Sequence, residues 1–228
     1  MPITGLIRKL FKSKSSEAAP GGVESELVPE LSSTEKAKAE KSIEKKYAKV
    51  ANGPKGYFKY PTGTAGLRQL GYGSGLIAPL PAEVAESFCG VGNPFSLADM
   101  VPGEKIVDIG CGAGLDTIMA AKMVSPGGSA AGIDMVSRML DTARRNAGLA
   151  GADNVKFIEC AADKLDFPDG SFDAAISNGV FNLVVDKQAA LTEVYRVLKP
   201  GGRLMIADQV RCGQMPKETS VMVKSWGR

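Results

Sequence analysis

Histidine is absent from this chain of 228 residues. A Ser-His-Asp triad, a Cys-His dyad and a histidine-ligated metal site are therefore excluded, because each of them needs an imidazole. Cysteine is scarce: Cys89, Cys111, Cys160 and Cys212 are widely spaced and form no CxxC pair. That spacing argues against a zinc ribbon and a disulfide framework, and it predicts a protein of the reducing cytoplasm with no metal site.

Long hydrophobic runs are also missing. No apolar stretch approaches the ~20 residues of a membrane span, and the opening MPITGLIRKLFKSK is too short and interrupted in its apolar part for a secretory signal. Hydrophobic residues still make up 44% of the chain and charged residues 23%, which is an ordinary globular balance. We therefore expect a soluble protein, or at most a peripheral one.

The excess of positive charge lies at the N-terminus. Residues 1–50 hold ten Lys or Arg and seven Asp or Glu, whereas the rest of the chain holds eighteen of each. A neutral main body argues against nucleic acid as a partner. Within the arm formed by residues 1–31, apolar side chains recur at the spacing of a basic amphipathic helix (Ile3, Leu6, Ile7, Leu10 and Phe11). Such a helix favours weak membrane-surface contact or partner docking, and a frayed terminus is the alternative.

Residues 32–100 form a second region, predicted to cap the main domain. Ser32 and Glu35 match a capping box that opens a helix, and Ile43, Tyr47 and Val50 fall on one face of it. Residues 52–82 are rich in glycine, proline and aromatics, which predicts no long regular element. Aromatics such as Tyr57, Phe58, Tyr60 and Tyr72 could cap a ligand pocket or pack beneath a loop.

From residue 104, strand-like runs alternate with helix-like runs. The strand segments are EKIVDIG, SAAGID, NVKFIEC, FDAAISN and RLMIADQ, and the helical segments are LDTIMAAKMVS, SRMLDTARRNAGLAG and KQAALTEVYRVLKPGG. This alternation is typical of parallel βαβ units with right-handed crossovers. We predict an α/β domain over residues 101–228, with a Rossmann-like parallel sheet, helices on both faces and a helical N-terminal extension.

A glycine-rich loop follows the first strand. Gly110, Gly112 and Gly114 bare the backbone, and the helix that starts near residue 113 can offer free N–H groups to an anion. A dinucleotide site would want G-x-G-x-x-G, but Leu115 stands at the sixth place. The loop, together with Asp134 at the end of the second strand, instead favours S-adenosylmethionine.

Residues 104–208 resemble the class I S-adenosylmethionine-dependent methyltransferases, through the motifs VDIGCGAG, GIDM, DKLDFPDGSFDAAISN and RVLKPGGRLMIAD. The resemblance implies that Asp134 binds both ribose hydroxyls and that Met135 flanks the adenine. It implies a cofactor site made of Asp108, Gly110, Cys111, Gly112, Gly114, Asp134, Met135, Ala162, Asp163 and Asn178.

Within that class the chain is most similar to arsenite methyltransferases, through FCGVGNP, AKMVSPGGSAAGIDM and ISNGVFNLVVDKQAALTEVYRVLKPGG. That family holds trivalent arsenic with cysteine thiolates. Here Val91 and Gly179 stand where the family has two of its cysteines, and a third belongs to a C-terminal region beyond this sequence. Cys89 and Cys212 are then the candidate substrate thiols, whereas Cys160 is expected to be a small buried residue.

The resemblance also implies a seven-stranded sheet, of which the last two strands are expected to be missing. An exposed fifth strand would be a liability unless the arm or a second copy covered its edge. Two other functions remain open. The LDFPDGSFD and RVLKPGG stretches also fit a ubiquinone or menaquinone C-methyltransferase, and a shortened chain could bind the cofactor without turnover.

Overall fold

The computed structural model describes residues 31–210 and Thr219. Helix α1 (Ser33–Val50) begins at the predicted capping box: the Ser32 hydroxyl accepts from the Glu35 amide at 3.3 Å, and the Glu35 carboxylate accepts from the Ser32 amide at 2.9 Å. Short elements follow, as the glycine-rich composition predicts: α2 (Gly63–Gln69), α3 (Ser74–Ile77), α4 (Ala82–Glu86) and a 3₁₀ turn (Pro94–Ser96). The predicted amphipathic helix of the arm lies outside the described residues.

Within the described residues, five parallel strands form one sheet, which confirms the predicted fold class. They are β1 (Lys105–Ile109), β2 (Ser129–Asp134), β3 (Val155–Glu159), β4 (Phe172–Asn178) and β5 (Leu198–Ala207). Their order across the sheet is β3-β2-β1-β4-β5, and every neighbouring pair is parallel. The helices α5 (Leu115–Met123), α6 (Ser137–Ala150) and α7 (Lys187–Val197) connect them.

Helices cover both faces of this sheet, so its central strand is apolar on both sides. In β1, Ile106 packs among residues of α5, whereas Val107 and Ile109 pack among residues of α7. All three side chains are fully buried. Because β1, β2 and β4 are parallel neighbours, their carboxyl ends lie together at one end of the sheet. Ligands bind at this end in such an architecture.

One helix boundary agrees with the expectation and one differs. Helix α5 begins at Leu115, the first residue of the predicted segment LDTIMAAKMVS, and Gly114 takes a left-handed conformation (φ +83°) at its N-cap. Helix α7 ends at Val197 and does not extend to the glycines, and β5 already begins at Leu198. Pro200 explains this boundary, since it has no N–H to continue a helix and favours an extended residue before it.

The edge of the sheet and the N-terminal helix complete the frame of the site. Within the described residues, β5 pairs with β4 only, so its other side is an open edge. Helix α1 buries Ile43 and Val50, and Val50 packs with Met139 of α6 as the apolar face of α1 predicts. No helix in residues 31–210 is long and apolar enough to cross a bilayer.

Candidate functional site

A cavity of about 250 Å³ opens at the carboxyl ends of β1, β2 and β4. It brings together residues that the sequence places on separate segments. Of the predicted site residues, the following line it: Cys89, Asp108, Gly110, Cys111, Gly112, Asp134, Met135, Ala162, Asp163 and Asn178. Gly114 is not among its lining residues, and Cys212 lies outside the described part of the chain.

The glycines of the loop after β1 do different things. Gly110 (φ +71°) and Gly112 (φ +52°) both adopt left-handed backbone, which L side chains rarely take. A Cβ on Gly110 would lie 2.4 Å from Val180, whereas a Cβ on Gly112 would meet nothing within 4 Å. The backbone at Gly112 therefore stands open to the cavity, and that of Gly110 is pressed against the loop after β4.

Gly114 is required by packing. A Cβ there would come within 2.8 Å of Ala143 and 2.9 Å of the Phe157 ring. Its left-handed conformation also caps α5. The third glycine of the motif thus lets the helix approach the sheet closely, while the first two shape the ligand side.

Asp134 ends β2 with its carboxylate turned toward the glycine loop. One carboxylate oxygen accepts from the Gly112 amide at 2.9 Å, and the other accepts from the Val136 amide at 2.9 Å. Burial raises the pKa of Asp134 to about 6, and the backbone hydrogen bonds oppose that rise. A ligand that reached this carboxylate would find it already oriented by the loop.

Asp108 is more deeply buried than Asp134. Its carboxylate accepts a hydrogen bond of 2.6 Å from the Thr117 hydroxyl. Burial, together with the neighbouring Asp116 carboxylate, raises the pKa of Asp108 to about 8. Within the described part of the chain, the lining residues include no lysine or arginine. A cationic ligand is what would compensate these carboxylates.

Sequence reasoning did not find Asp116 as a site residue. It lies in the first turn of α5 and lines the cavity, where its carboxylate accepts from the Tyr72 hydroxyl at 2.8 Å and from the Asn178 side-chain amide at 2.9 Å. Burial raises its pKa to about 6. An acidic residue directly after the glycine loop was a visible signal, but nothing in the sequence placed Tyr72 against it.

Of the two predicted substrate thiols, Cys89 lies in the described part of the chain. It lines the cavity, and its carbonyl accepts from the Tyr60 hydroxyl at 3.1 Å. Burial, reinforced by the Asp134 and Asp116 carboxylates, raises the pKa of the Cys89 thiol to about 12. The thiol is therefore protonated at neutral pH.

Cys160 differs from its expected buried position. It is partly exposed and lines the cavity beside Ala161 and Ala162. Its thiol donates to the Lys164 carbonyl at 2.9 Å, so the loop after β3 holds it in place.

The remaining wall comes from elements that carried no motif. Helix α1 contributes Glu40, Ile43 and Tyr47, and the segment after β4 contributes Val180 and residues 183–185. Tyr47 stacks obliquely with Phe58, and Phe58 with Tyr60. Of the predicted aromatics, Phe58 and Tyr60 thus support the cavity wall, while Tyr57 is 44% exposed and Tyr72 is buried.

Comparison with known proteins agrees with this geometry. Residues 101–226 match the family model described as "Methyltransferase domain". An arsenite methyltransferase of Halobacterium salinarum is 39% identical over 160 residues, covering 70% of this chain and 41% of its own length. A ubiquinone/menaquinone biosynthesis C-methyltransferase of Pasteurella multocida is 38% identical over 109 residues, covering 46% of this chain and 40% of its own length.

A solved structure has the same fold. It is the arsenic (III) S-adenosylmethionine methyltransferase of Chlamydomonas reinhardtii, with a TM-score of 0.54 and 37% identity, covering 65% of this chain and 50% of that one. The match to the two curated relatives thus spans about two fifths of their length.

Proposed function

Because this chain belongs to the methyltransferase domain family, we propose that its cavity binds S-adenosylmethionine and directs the methyl group to a small acceptor. One observation carries the proposal. Buried carboxylates surround a cavity that has no basic lining residue in the described part of the chain, beside a glycine loop at the carboxyl ends of the strands. S-adenosylmethionine brings a sulfonium and an ammonium, which match that charge.

The residues that would hold the cofactor fit its parts. Asp134 stands ready for the ribose hydroxyls, because two backbone amides already orient its carboxylate. Asp108 and the open backbone at Gly112 suit the charged amino-acid end. Met135, which is 37% exposed, and Asp163 at the rim suit the adenine.

When bound, S-adenosylmethionine supplies a methyl group on a positively charged sulfur. The chain then has to hold donor and acceptor aligned and to keep water away. Asn178, Cys89 and Gly90 line the cavity, and α1 adds Ile43 and Tyr47 to its wall. The protein's contribution is therefore orientation, and no histidine is needed.

We favour thiol-bound trivalent arsenic as the acceptor. The arsenite methyltransferases named above support this choice, and Cys89 supplies one thiol in the cavity. In the binding step, the protonated Cys89 thiol forms a sulfur–arsenic bond with arsenous acid, and its proton leaves with a hydroxide as water. Cys212 and a small thiol such as glutathione would complete the three sulfurs.

A quinol-type acceptor is the second candidate. The apolar wall at Val180 and residues 183–185 favours it, since a hydrophobic ring would bury apolar surface there. The relative from Pasteurella multocida carries such an activity in its name.

The parts of the chain would divide this work. Residues 101–228 form the cofactor-binding domain, and residues 32–100 cap it through α1 and the Cys89 loop. Residues 1–31 form a basic arm suited to weak contact with a membrane surface or partner. The open edge of β5 suits a second copy of the chain.

Two measurements on the full chain test the proposal. Titration calorimetry measures S-adenosylmethionine binding, and transfer of a labelled methyl group is followed with arsenite plus glutathione, quinol precursors and small thiols. We expect binding, and label in the arsenic species. Binding without transfer to any acceptor would support a non-catalytic cofactor-binding module, and absence of binding would overturn the proposal.

A further inference from the structure

Asp116 is the centre of a buried hydrogen-bond network that links three separate elements. Its two carboxylate oxygens accept from the Tyr72 hydroxyl at 2.8 Å and from the Asn178 side-chain amide at 2.9 Å. The oxygen of the same Asn178 amide accepts from the backbone amides of Val91 at 2.8 Å and Gly92 at 3.1 Å. A path of hydrogen bonds therefore runs from α5 through β4 to the loop before the 3₁₀ turn.

The loop of Cys89 to Gly92 is tightly packed. A Cβ on Gly90 would lie 2.3 Å from the Asn178 side chain, and a Cβ on Gly92 would lie 2.6 Å from Ala207. The loop also carries Cys89 and Gly90 into the wall of the cavity. The orientation of Asn178 thus decides where this part of the wall stands.

We propose that Asp116 is a positioning residue that orients Asn178 and, through it, holds the loop of Cys89 to Gly92 closed over the acceptor side of the cavity. The role of this loop in catalysis rests on the proposed function. The position of the loop can be measured without cofactor or acceptor. The Asp116 carboxylate can only accept, so together with the Gly92 carbonyl, each 2.9 Å from the Asn178 side-chain nitrogen, it fixes which end of that amide donates. The other end is then free to accept from the loop.

The network predicts a dependence on protonation. Protonation places a hydrogen on one of the two Asp116 oxygens, which makes that oxygen a weaker acceptor and sets a donor against one of its two present donors. Burial places the pKa of Asp116 near 6, within reach of experiment. The charged and titratable groups around it are Asp108 on β1, Tyr72 beyond α2, and Cys89 on the loop itself. Asp134 on β2 shares the cavity and titrates in the same range.

Amide hydrogen exchange of the full chain, followed by NMR, tests the proposal directly. In Asp116→Asn, we expect the protection of the Val91 and Gly92 amides to fall about tenfold, the size of one lost charged hydrogen bond. The amides of Val107 and Ala175 in the central strands should keep their protection. Asp141→Asn, an exposed aspartate on α6, is the matched control.

Tyr72→Phe separates positioning from simple loss of stability. It removes the hydroxyl that donates to Asp116 at 2.8 Å and to the Gly92 carbonyl at 3.2 Å, and Tyr57→Phe is its exposed control. We expect the effects of Tyr72→Phe and Asp116→Asn on loop protection to be non-additive, since both act through the same network. Additive effects, or equal loss of protection in the strands and the loop, would overturn the proposal.

Two further readouts make the result independent of the proposed function. Protection of the Val91 and Gly92 amides should fall in the native chain as the pH drops through about 6, and this dependence should vanish in Asp116→Asn. Alkylation of Cys89 by N-ethylmaleimide, followed by peptide mass spectrometry, should accelerate in that variant. If loop protection changes in Asp116→Asn but S-adenosylmethionine does not bind, the positioning role stands and the proposed function fails. If S-adenosylmethionine binds but loop protection does not change, the proposed function stands and the positioning role fails.

Discussion

The backbone amide of Gly112 donates to the carboxylate of Asp134 across 2.9 Å. This contact ties the glycine loop after β1 to the end of β2, and it leaves the Gly112 Cα facing open space. The residue proposed to bind the ribose thus also holds the loop proposed to meet the amino-acid end of the cofactor. Loss of the Asp134 side chain should therefore affect both parts of the site.

Asp134→Ala should weaken S-adenosylmethionine binding strongly. Each charged hydrogen bond lost costs about 1.5–3 kcal/mol, and the ribose hydroxyls would lose their acceptor while the Gly112 amide is released. Titration calorimetry measures the change, with the exposed Asp141→Ala as control. Unchanged affinity, or a preference for a nicotinamide cofactor, would show that the cavity serves another ligand.

Alanine variants at Gly112 and Gly114 should differ in stability and in cofactor affinity. Gly114→Ala should lower the free energy of unfolding by about 2–4 kcal/mol, because it adds left-handed strain to a clash with Ala143 and Phe157. In Gly112→Ala the new methyl group has nothing within 4 Å, so left-handed strain alone should lower the free energy of unfolding, by about 1–2 kcal/mol. Its larger effect should be on cofactor affinity.

Gly148→Ala provides the matched control for these two variants. Gly148 is an exposed position of α6 with nothing within 4 Å of a Cβ, so alanine should stabilise the helix by about 1 kcal/mol. Urea unfolding of the three variants gives the order. Equal stability losses at Gly112 and Gly114 would contradict the division between ligand side and packing side.

Binding of the proposed cofactor should release protons. The pKa of Asp108 is raised to about 8 and those of Asp116 and Asp134 to about 6, and a cationic ligand would lower all three. Affinity should therefore rise as the pH goes from about 5 to about 8. Calorimetry in buffers of different ionisation enthalpy counts the protons. S-adenosylhomocysteine, which lacks the sulfonium charge, should release fewer, and equal release would contradict the charge argument.

The same carboxylates should make the free protein less stable as the pH rises. Their folded pKa values lie above the ordinary aspartate value of 3.8, so the folded chain binds more protons than the unfolded chain. The stabilisation is complete below about pH 4 and is lost as the pH rises through 6 and then 8. Thermal unfolding of Asp108→Asn should lose the upper part of this dependence.

Arsenic retention should depend on thiols. Arsenite-treated protein examined by mass spectrometry should keep less arsenic in Cys89→Ser and in Cys212→Ser. Val91→Cys should keep more, because it restores a thiol where the family has one, beside Gly179. Protein blocked with N-ethylmaleimide is the control. If neither serine variant changes the amount of arsenic retained, the two-thiol site does not exist. The resemblance to arsenite methyltransferases then supports cofactor binding only.

Much of this fold could be predicted from the sequence because its signals are local. The βα alternation, the capping box at Ser32 and the glycine loop before α5 each depend on neighbouring residues. The alternation predicted helices on both faces of the sheet, and in β1 Ile106, Val107 and Ile109 are accordingly fully buried. The end of α7 was less predictable, since Pro200 competes there with the helical pattern.

What only the tertiary structure decided is which of these residues meet. Asp116 and Asn178 are 62 residues apart in the chain, and Asn178 and Tyr72 are 106 apart. No local periodicity encodes such pairs, because they depend on where the elements pack. The same holds for α1, which lends Glu40 and Tyr47 to the cavity, and for the raised carboxylate pKa values, which follow from burial. Sequence pattern identified a glycine loop and an acidic partner for it, whereas packing created the acidic cavity around them.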